Sequence, residues 1–87
     1  MYVVLAYDIA GNRVGKVMKI VKKYLTARQK SVYEGELTEG RLKMLKRELA
    51  AVIDTQKDAV VIYKYTFNAG LLIDEIGVRP RRPDRFL

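Results

Sequence analysis

Two continuous apolar runs occur along the chain, and each predicts a strand that is buried on both faces of a sheet. The first covers residues 2–7, and the second begins a predicted strand over residues 58–65. Two weaker patterns predict further strands, since residues 31–37 alternate between apolar and polar and residues 71–76 are largely apolar. We therefore expect four strands, of which the two apolar ones are central.

Two stretches between the predicted strands have the spacing of amphipathic helices. Asn12 is the expected N-cap of the first helix, and Thr38 is that of the second, which should end near residues 54–55. Residues 26–30 predict a polar connection after the first helix. The expected buried stripes are Val14, Val17, Met18, Val21, Tyr24 and Leu25 in the first helix and Leu42, Leu45, Leu49, Val52 and Ile53 in the second.

The order strand, helix, strand, helix, strand, strand predicts an α+β fold, a two-layer α/β plait whose antiparallel sheet carries both helices on one face. Residues 1–77 are expected to form this domain, and residues 78–87 a basic C-terminal tail. Gly35, inside a predicted strand, indicates a bulge or the close approach of another backbone. The second sheet face would expose a large apolar patch, which a second copy of the chain would cover most simply. We therefore expect a homodimer.

The composition of the chain narrows its possible chemistry. The 87 residues carry a formal net charge of +7 and include no cysteine and no histidine. Disulfides, thiol catalysis and zinc sites built on thiolates or imidazoles are therefore excluded. The sequence has neither an apolar stretch long enough for a membrane nor the pattern of a signal peptide, so we expect a cytoplasmic protein. The charge favours a polyanionic partner, although a basic surface kept for solubility would give the same balance.

The first predicted helix has a basic outer face and contains no acidic residue. No ion pair can therefore form within the helix to stabilise it. We interpret its basic face as a surface that binds phosphate. The alternative is a basic face that is only solvated. The predicted nucleic-acid ligands on this helix are Arg13, Lys16, Lys19, Lys22 and Lys23.

Asp8 ends the first apolar run, directly before the turn that leads to the first helix. Folds built of strands and helices often place their chemistry at such a strand end, and a carboxylate there can bind a hard cation such as Mg²⁺. The alternative is that Asp8 accepts N–H bonds within its turn or faces water. Asp8 is therefore the candidate catalytic and metal-binding residue.

The C-terminal tail combines arginines with two prolines, which favour extended structure. An apolar anchor near its end makes it a predicted interaction segment, with a frayed basic terminus as the alternative. The residues concerned are Arg79, Arg81, Arg82, Arg85 and Phe86.

Three clusters, taken in order, resemble the Cas2 family of small CRISPR-associated nucleases. They are residues 7–9, Tyr-Asp-Ile, residues 12–14, Asn-Arg-Val, and residues 29–35. The last cluster, Gln-Lys-Ser-Val-Tyr-Glu-Gly, is similar to the family pattern Q-x-S-V-F-E-G, with Tyr33 where the family usually has Phe. The lengths between the clusters also match, and the resemblance covers residues 1 to about 77.

This resemblance implies a ferredoxin-like fold and a homodimer whose sheets pack face to face, with Asp8 of each chain near the two-fold axis. It implies Mg²⁺-dependent phosphodiester cleavage, as in some members, and a place beside the CRISPR integrase in spacer acquisition. The nucleic acid would be double-stranded DNA, single-stranded RNA or both. Ser31 would hydrogen-bond a phosphate or its own backbone. Residues 9–12 lack the acidic residues often found there in the family, so this loop supplies no further metal ligand.

Two other functions fit the same pattern. One is a toxin-type endoribonuclease of the virulence-associated (VapD-like) group, which shares the fold, and the other is a non-catalytic, nucleic-acid-binding ferredoxin-like module. A regulatory module need not be this basic. An RNA-binding sheet usually presents aromatic residues on an open face, whereas this face is expected to be apolar and covered.

Overall fold

The computed structural model describes residues 1–78, and the predictions for the tail residues 79–87 lie outside this range. The described chain forms β1 (Tyr2–Asp8), a 3-10 helix (Gly11–Arg13), α1 (Val14–Lys22), β2 (Thr26–Gln29), β3 (Val32–Glu36), α2 (Glu39–Ala50), β4 (Ala59–Thr66) and β5 (Gly70–Gly77). Neither α-helix within residues 1–78 has the length and apolar character needed to cross a membrane.

The strands form one antiparallel sheet in the order β2-β3-β1-β4-β5, with β1 in the middle. Alternate residues of the two central strands, such as Leu5 and Ile62, are fully buried beneath the helices. Val21 of α1 and Leu45 of α2 belong to the same buried cluster. The predicted α+β plait, with both helices on one face of the sheet, is therefore confirmed.

The sheet has five strands rather than four, because residues Thr26–Gln29 form the edge strand β2 and pair with β3. The predicted polar connection over residues 26–30 is therefore wrong. All four side chains of β2 are exposed, so the segment has no apolar alternation. Backbone hydrogen bonds to β3 make this segment a strand, whereas its side-chain pattern does not indicate one. The register shifts between Ala27 and Gln29, so the irregularity of this hairpin lies in β2.

The two helices begin differently. Thr38 caps α2 as predicted, since its Oγ1 accepts a hydrogen bond of 3.1 Å from the Arg41 N–H. The helix ends at Ala50, earlier than expected. The predicted N-cap at Asn12 is wrong, because this residue lies inside the 3-10 helix, after the left-handed turn at Gly11 (φ 63°), and no side chain caps either that helix or α1.

The sheet face opposite the helices, called the open face below, has a large apolar surface. Tyr65, Leu71 and Ile73 on this face are each more than half exposed. The centre of this face is buried, since Ala6 and Val61 are 0% and 3% exposed, and its exposed apolar side chains lie along β5 and at the end of β4. Strand pairing assigns to it Tyr2, Val4, Ala6 and Asp8 of β1, Ala59, Val61, Tyr63 and Tyr65 of β4, and Leu71, Ile73 and Glu75 of β5.

Candidate active site and nucleic-acid interface

Asp8 is the last residue of β1, and its side chain is exposed on the open face. Antiparallel pairing sets it opposite Ala59, the first residue of β4. Tyr7 is buried in the helix-side core, where its ring lies 5.9 Å from that of Tyr33, measured between centroids. Tyr7 therefore points away from Asp8 and packs in the core.

The chemistry of Asp8 suits Mg²⁺, which prefers oxygen ligands, but one chain supplies few of them. Mg²⁺ takes six ligands in a near-octahedral arrangement and usually keeps several waters. Within residues 1–78, no group of three or more carboxylate, imidazole or thiolate side chains is placed to hold an ion together. A second carboxylate from outside the chain would therefore make a more credible site.

Asp58, a carboxylate that the sequence analysis did not single out, fixes the loop after Asp8. It is fully buried directly before β4. Its two oxygens accept hydrogen bonds from the Arg13 guanidinium, 2.7 Å from Nε and 2.9 Å from Nη2. They also accept bonds of 2.8 Å from the backbone N–H groups of Ala10 and Asp54. The loop that follows β1 is thereby tied to the loop that precedes β4.

Asp58 stays ionised because every hydrogen bond that it accepts favours the carboxylate. The bidentate contact with Arg13 is the largest cause that holds the pKa of Asp58 far below its ordinary value, while burial acts in the opposite direction. The same contact raises the pKa of Arg13. Arg13, a predicted nucleic-acid ligand, therefore uses two of its five N–H donors inside the protein.

The predicted lysine ligands lie on the outer side of α1 and directly after it. Lys16, Lys19, Lys22 and Lys23 are all exposed. Lys23 pairs with Glu48 of α2, and this contact is the main reason that the pKa of Glu48 is lowered. The acidic partner that the basic helix lacks in its own sequence thus comes from the neighbouring helix.

Ser31 lies in the two-residue turn between β2 and β3, with a left-handed φ of 68°. Its carbonyl oxygen accepts a hydrogen bond of 3.1 Å from the Tyr7 N–H, which ties the turn to the central strand. The predicted strand start at Ser31 is therefore one residue early, since β3 begins at Val32. Phosphate binding by the Ser31 hydroxyl stays a prediction.

Fold and geometry together define a small, basic α/β plait with an exposed carboxylate at the end of its central strand. A family model, CRISPR associated protein Cas2, matches residues 1–69. The chain therefore belongs to the Cas2 family, as its motifs predicted.

Relatives support this assignment over most of the chain. The CRISPR-associated endoribonuclease Cas2 3 of Thermodesulfovibrio yellowstonii is 53% identical over 62 residues, which cover 71% of this chain and 70% of the relative. The CRISPR-associated endoribonuclease Cas2 of Thermotoga maritima is 40% identical over 78 residues, which cover 90% of each chain.

Solved structures agree with the fold. A crystal structure of Cas2 with 43% sequence identity matches at a TM-score of 0.69, covering 72% of this chain and 71% of that chain. Cas2 of Streptococcus pyogenes, crystallised at pH 6.5, is 27% identical and matches at a TM-score of 0.70, covering 78% of this chain and 89% of that chain. The ferredoxin-like fold implied by the resemblance is confirmed.

A sequence signal for Asp58 was available. Asp58 directly precedes the second apolar run just as Asp8 ends the first, and neighbouring antiparallel strands bring such ends to the same edge of a sheet. The choice of Arg13 as its partner depends on the path of the short 3-10 helix, which no residue spacing in the sequence indicates.

Proposed function

We propose that this chain is a dimeric, nucleic-acid-binding nuclease subunit that cleaves phosphodiester bonds with Mg²⁺ held by Asp8 from two copies. The observation that carries the proposal is the position of Asp8, an exposed carboxylate at the end of the central strand, on a sheet face that also carries exposed apolar side chains. Cleavage is also supported by the relatives, which are named endoribonucleases.

A second copy packed on the open face would remove its apolar side chains from water. Tyr65, Leu71 and Ile73 are 62%, 59% and 53% exposed. Full burial of an exposed side chain of this kind is worth ~1.5–3 kcal/mol, so several together favour association. A two-fold axis through this face would pair identical surfaces and bring the Asp8 carboxylates of both copies toward each other.

Paired Asp8 carboxylates would hold the ion that one chain alone holds poorly. Bound Mg²⁺ would lower the pKa of a water and neutralise charge on the phosphate. Lys16, on the first turn of α1, would hold the phosphate group, and the contact between Asp58 and Arg13 would keep the intervening loop in place. This chemistry needs no histidine, consistent with the composition.

The substrate would be bound through its backbone. Exposed lysines along α1 can contact successive phosphates but read no base edges, so we expect little sequence preference. Double-stranded DNA and single-stranded RNA both present such a backbone, and both remain candidate substrates.

Replacement of Asp8 by Asn tests the proposed site. We expect Asp8→Asn to abolish Mg²⁺-dependent cleavage, because the variant loses its charged metal ligand. Nucleic-acid binding should persist or strengthen slightly, since a negative charge beside the phosphate is removed. The fold should survive, because Asn also forms turns readily. Cleavage of labelled RNA and DNA, with Mg²⁺ and with chelator, measures the effect.

Glu36→Gln is the matched control for this experiment. Glu36 is exposed and pairs with Tyr2, at the opposite end of β1, so its removal should leave cleavage unchanged. An Asp8→Asn protein that still cleaved at the wild-type rate in Mg²⁺ and stopped in chelator would refute a catalytic Asp8.

A second candidate function is an architectural role beside the CRISPR integrase in spacer acquisition. The observation that favours it is the small number of metal ligands, since residues 1–78 contain no ion-binding cluster of acidic side chains around Asp8. Such a role would use the dimer and the basic helix, without cleavage. Asp8→Asn should then support integration as well as wild type does in an assay with purified integrase.

The tail is the proposed contact to the integrase or to the second copy. Its arginines and its apolar end supply charge and an anchor. We expect deletion of residues 79–87 to weaken integrase binding or dimerisation, measured by co-purification and light scattering. Unchanged dimerisation, DNA binding and integrase binding would favour a frayed terminus.

A further inference from the structure

A pocket of about 400 Å³ lies between α1 and the β2–β3 hairpin, on the side of the sheet away from Asp8. Its size falls in the range of small-molecule sites, ~300–1,000 Å³. The metal site and the dimer interface proposed above lie on the opposite face of the sheet, so they leave this pocket without a role.

The interior of the pocket is apolar. Val14 and Met18, one helical turn apart on α1, form one wall, and Ala27 of β2 faces them. Tyr7 and Tyr33 close the floor with their paired rings. Burial, with a hydrogen bond to Tyr33, raises the pKa of Tyr7 to about 12, so Tyr7 carries no charge at neutral pH. A flat heterocycle fits such a lining.

The mouth of the pocket is cationic. Lys22 and Lys30 line it, and no acidic residue is among the described residues that line the pocket. Arg28 also borders the pocket, but its guanidinium pairs with Glu34 through Nε, at 3.0 Å, on the open face of the sheet. Two cations beside an apolar interior complement a ligand with a planar apolar part and an attached anion.

The hairpin that carries Lys30 is held against the central strand. The hydrogen bond from the Tyr7 N–H to the Ser31 carbonyl anchors the turn directly after Lys30. A turn fixed in advance loses little conformational entropy when a ligand binds. The left-handed φ of Ser31 is a conformation that non-glycine residues adopt at a cost, and such positions concentrate at binding sites.

We propose that this pocket binds one unpaired nucleotide of a nucleic acid strand, with the base in the apolar interior and its phosphate at the cationic mouth. The proposal rests on the nucleic-acid binding proposed above and adds a preference for strands with an unpaired end. The basic helix would hold the duplex backbone, while the pocket next to it captures the nucleotide that leaves the stack.

The test compares a blunt DNA duplex with the same duplex carrying a short single-stranded overhang, by fluorescence anisotropy in chelator so that no cleavage occurs. Wild type should bind the overhang duplex about tenfold more tightly, the usual scale of one enclosed base. Ala27→Phe fills the pocket from an exposed strand position that accepts aromatic residues. It should lose this preference and bind the blunt duplex like wild type.

Two controls accompany this variant. Ala50→Phe makes the same change at an exposed position on α2, away from the pocket, and should keep the preference. Lys30→Gln removes one cation from the mouth without filling the interior and should reduce the preference, whereas Lys43→Gln on α2 should not.

Each outcome decides between the two proposals. Equal wild-type affinity for the two duplexes, or a preference that survives in Ala27→Phe, would overturn the pocket assignment while leaving duplex binding intact. Saturable binding of free AMP without an overhang preference would also overturn it, since the pocket would then serve a free nucleotide. Wild type that binds neither duplex would instead contradict the proposed nucleic-acid function itself.

Discussion

A single buried carboxylate, Asp58, organises the two loops that border the candidate site. It accepts four hydrogen bonds, two of them from Arg13. A buried charge is tolerated only when it is paired and hydrogen-bonded, and here both conditions hold. Because the Arg13 side chain is 27% exposed, the pair is only partly shielded from solvent.

We predict that Asp58→Asn destabilises the protein by about 3 kcal/mol at neutral pH, because removing one partner of such a pair leaves the other uncompensated. The folded-state pKa of Asp58 is lowered, so its contribution is present above the ordinary value of 3.8 and is lost as the pH falls below it. Urea denaturation between pH 3 and 7 measures both effects. Identical pH dependence of wild type and variant in the acidic range would contradict this account.

At the scale of elements, the end of β5 depends on Gly77. Its φ is +88°, and an added Cβ would lie 2.1 Å from the Asp58 carbonyl oxygen. That oxygen also accepts a hydrogen bond of 2.8 Å from the Val78 N–H, so the strands cannot move apart without breaking it. Gly15 in α1 is the opposite case, because nothing lies within 4 Å of its added Cβ.

We predict that Gly77→Ala lowers the free energy of unfolding by about 3 kcal/mol, through backbone strain and the steric overlap. Gly15→Ala should raise it by roughly 0.5 kcal/mol, since alanine has a higher helix propensity than glycine. Thermal and urea unfolding at one fixed protein concentration would show the two opposite shifts. A Gly77→Ala variant with the same free energy of unfolding as wild type would contradict the close contact between Gly77 and the Asp58 carbonyl.

The basic side of α1 supplies a second prediction at this scale. The double variant Lys16→Glu, Lys19→Glu should weaken duplex binding at least about tenfold. It should also reduce the slope of log affinity against log salt by about one for each phosphate that the lysines no longer neutralise. Lys43→Glu, Arg47→Glu makes the same change of charge on exposed positions of α2 and should have a much smaller effect. Equally weakened binding in both variants would indicate a general charge effect.

The elements that could be predicted from the sequence are those with buried stripes. Continuous apolar runs predicted the strands around Leu5 and Ile62. The spacing of apolar residues and an N-cap predicted the helix that begins after Thr38. The edge strand β2 was missed because it buries nothing, and the entry to α1 was misplaced because Asp58, far along the chain, fixes it. Both errors concern structure that is set by partners distant in sequence.

For the whole molecule, the open face is the feature with the largest consequence. We predict that Ile73→Lys yields a monomer, because the charge would be buried in the dimer, whereas Met44→Lys on exposed α2 leaves the dimer intact. Light scattering at micromolar concentration should give 10.0 kDa for the first variant and twice that mass for wild type. Wild type that stays a monomer would contradict the proposed dimer.

Much of the candidate site could be inferred before the structure, since a carboxylate at the end of an apolar strand and a basic helix are visible in the sequence. The side chains that surround the site could not. The engagement of Arg13 and Lys23 by Asp58 and Glu48 depends on how loops and helices pack. Sequence spacing identifies which residues share an element, but it does not identify which residues meet across two elements.

A subunit-mixing titration most directly tests the claim that two Asp8 carboxylates build one site. Wild type and Asp8→Asn are mixed in known ratios, allowed to exchange subunits, and assayed for Mg²⁺-dependent cleavage. If both carboxylates are required, only wild-type dimers cleave, and an equal mixture keeps about one quarter of the activity. Activity that falls in proportion to the wild-type fraction, with about half remaining in the equal mixture, would show that each Asp8 works alone and would contradict the shared site.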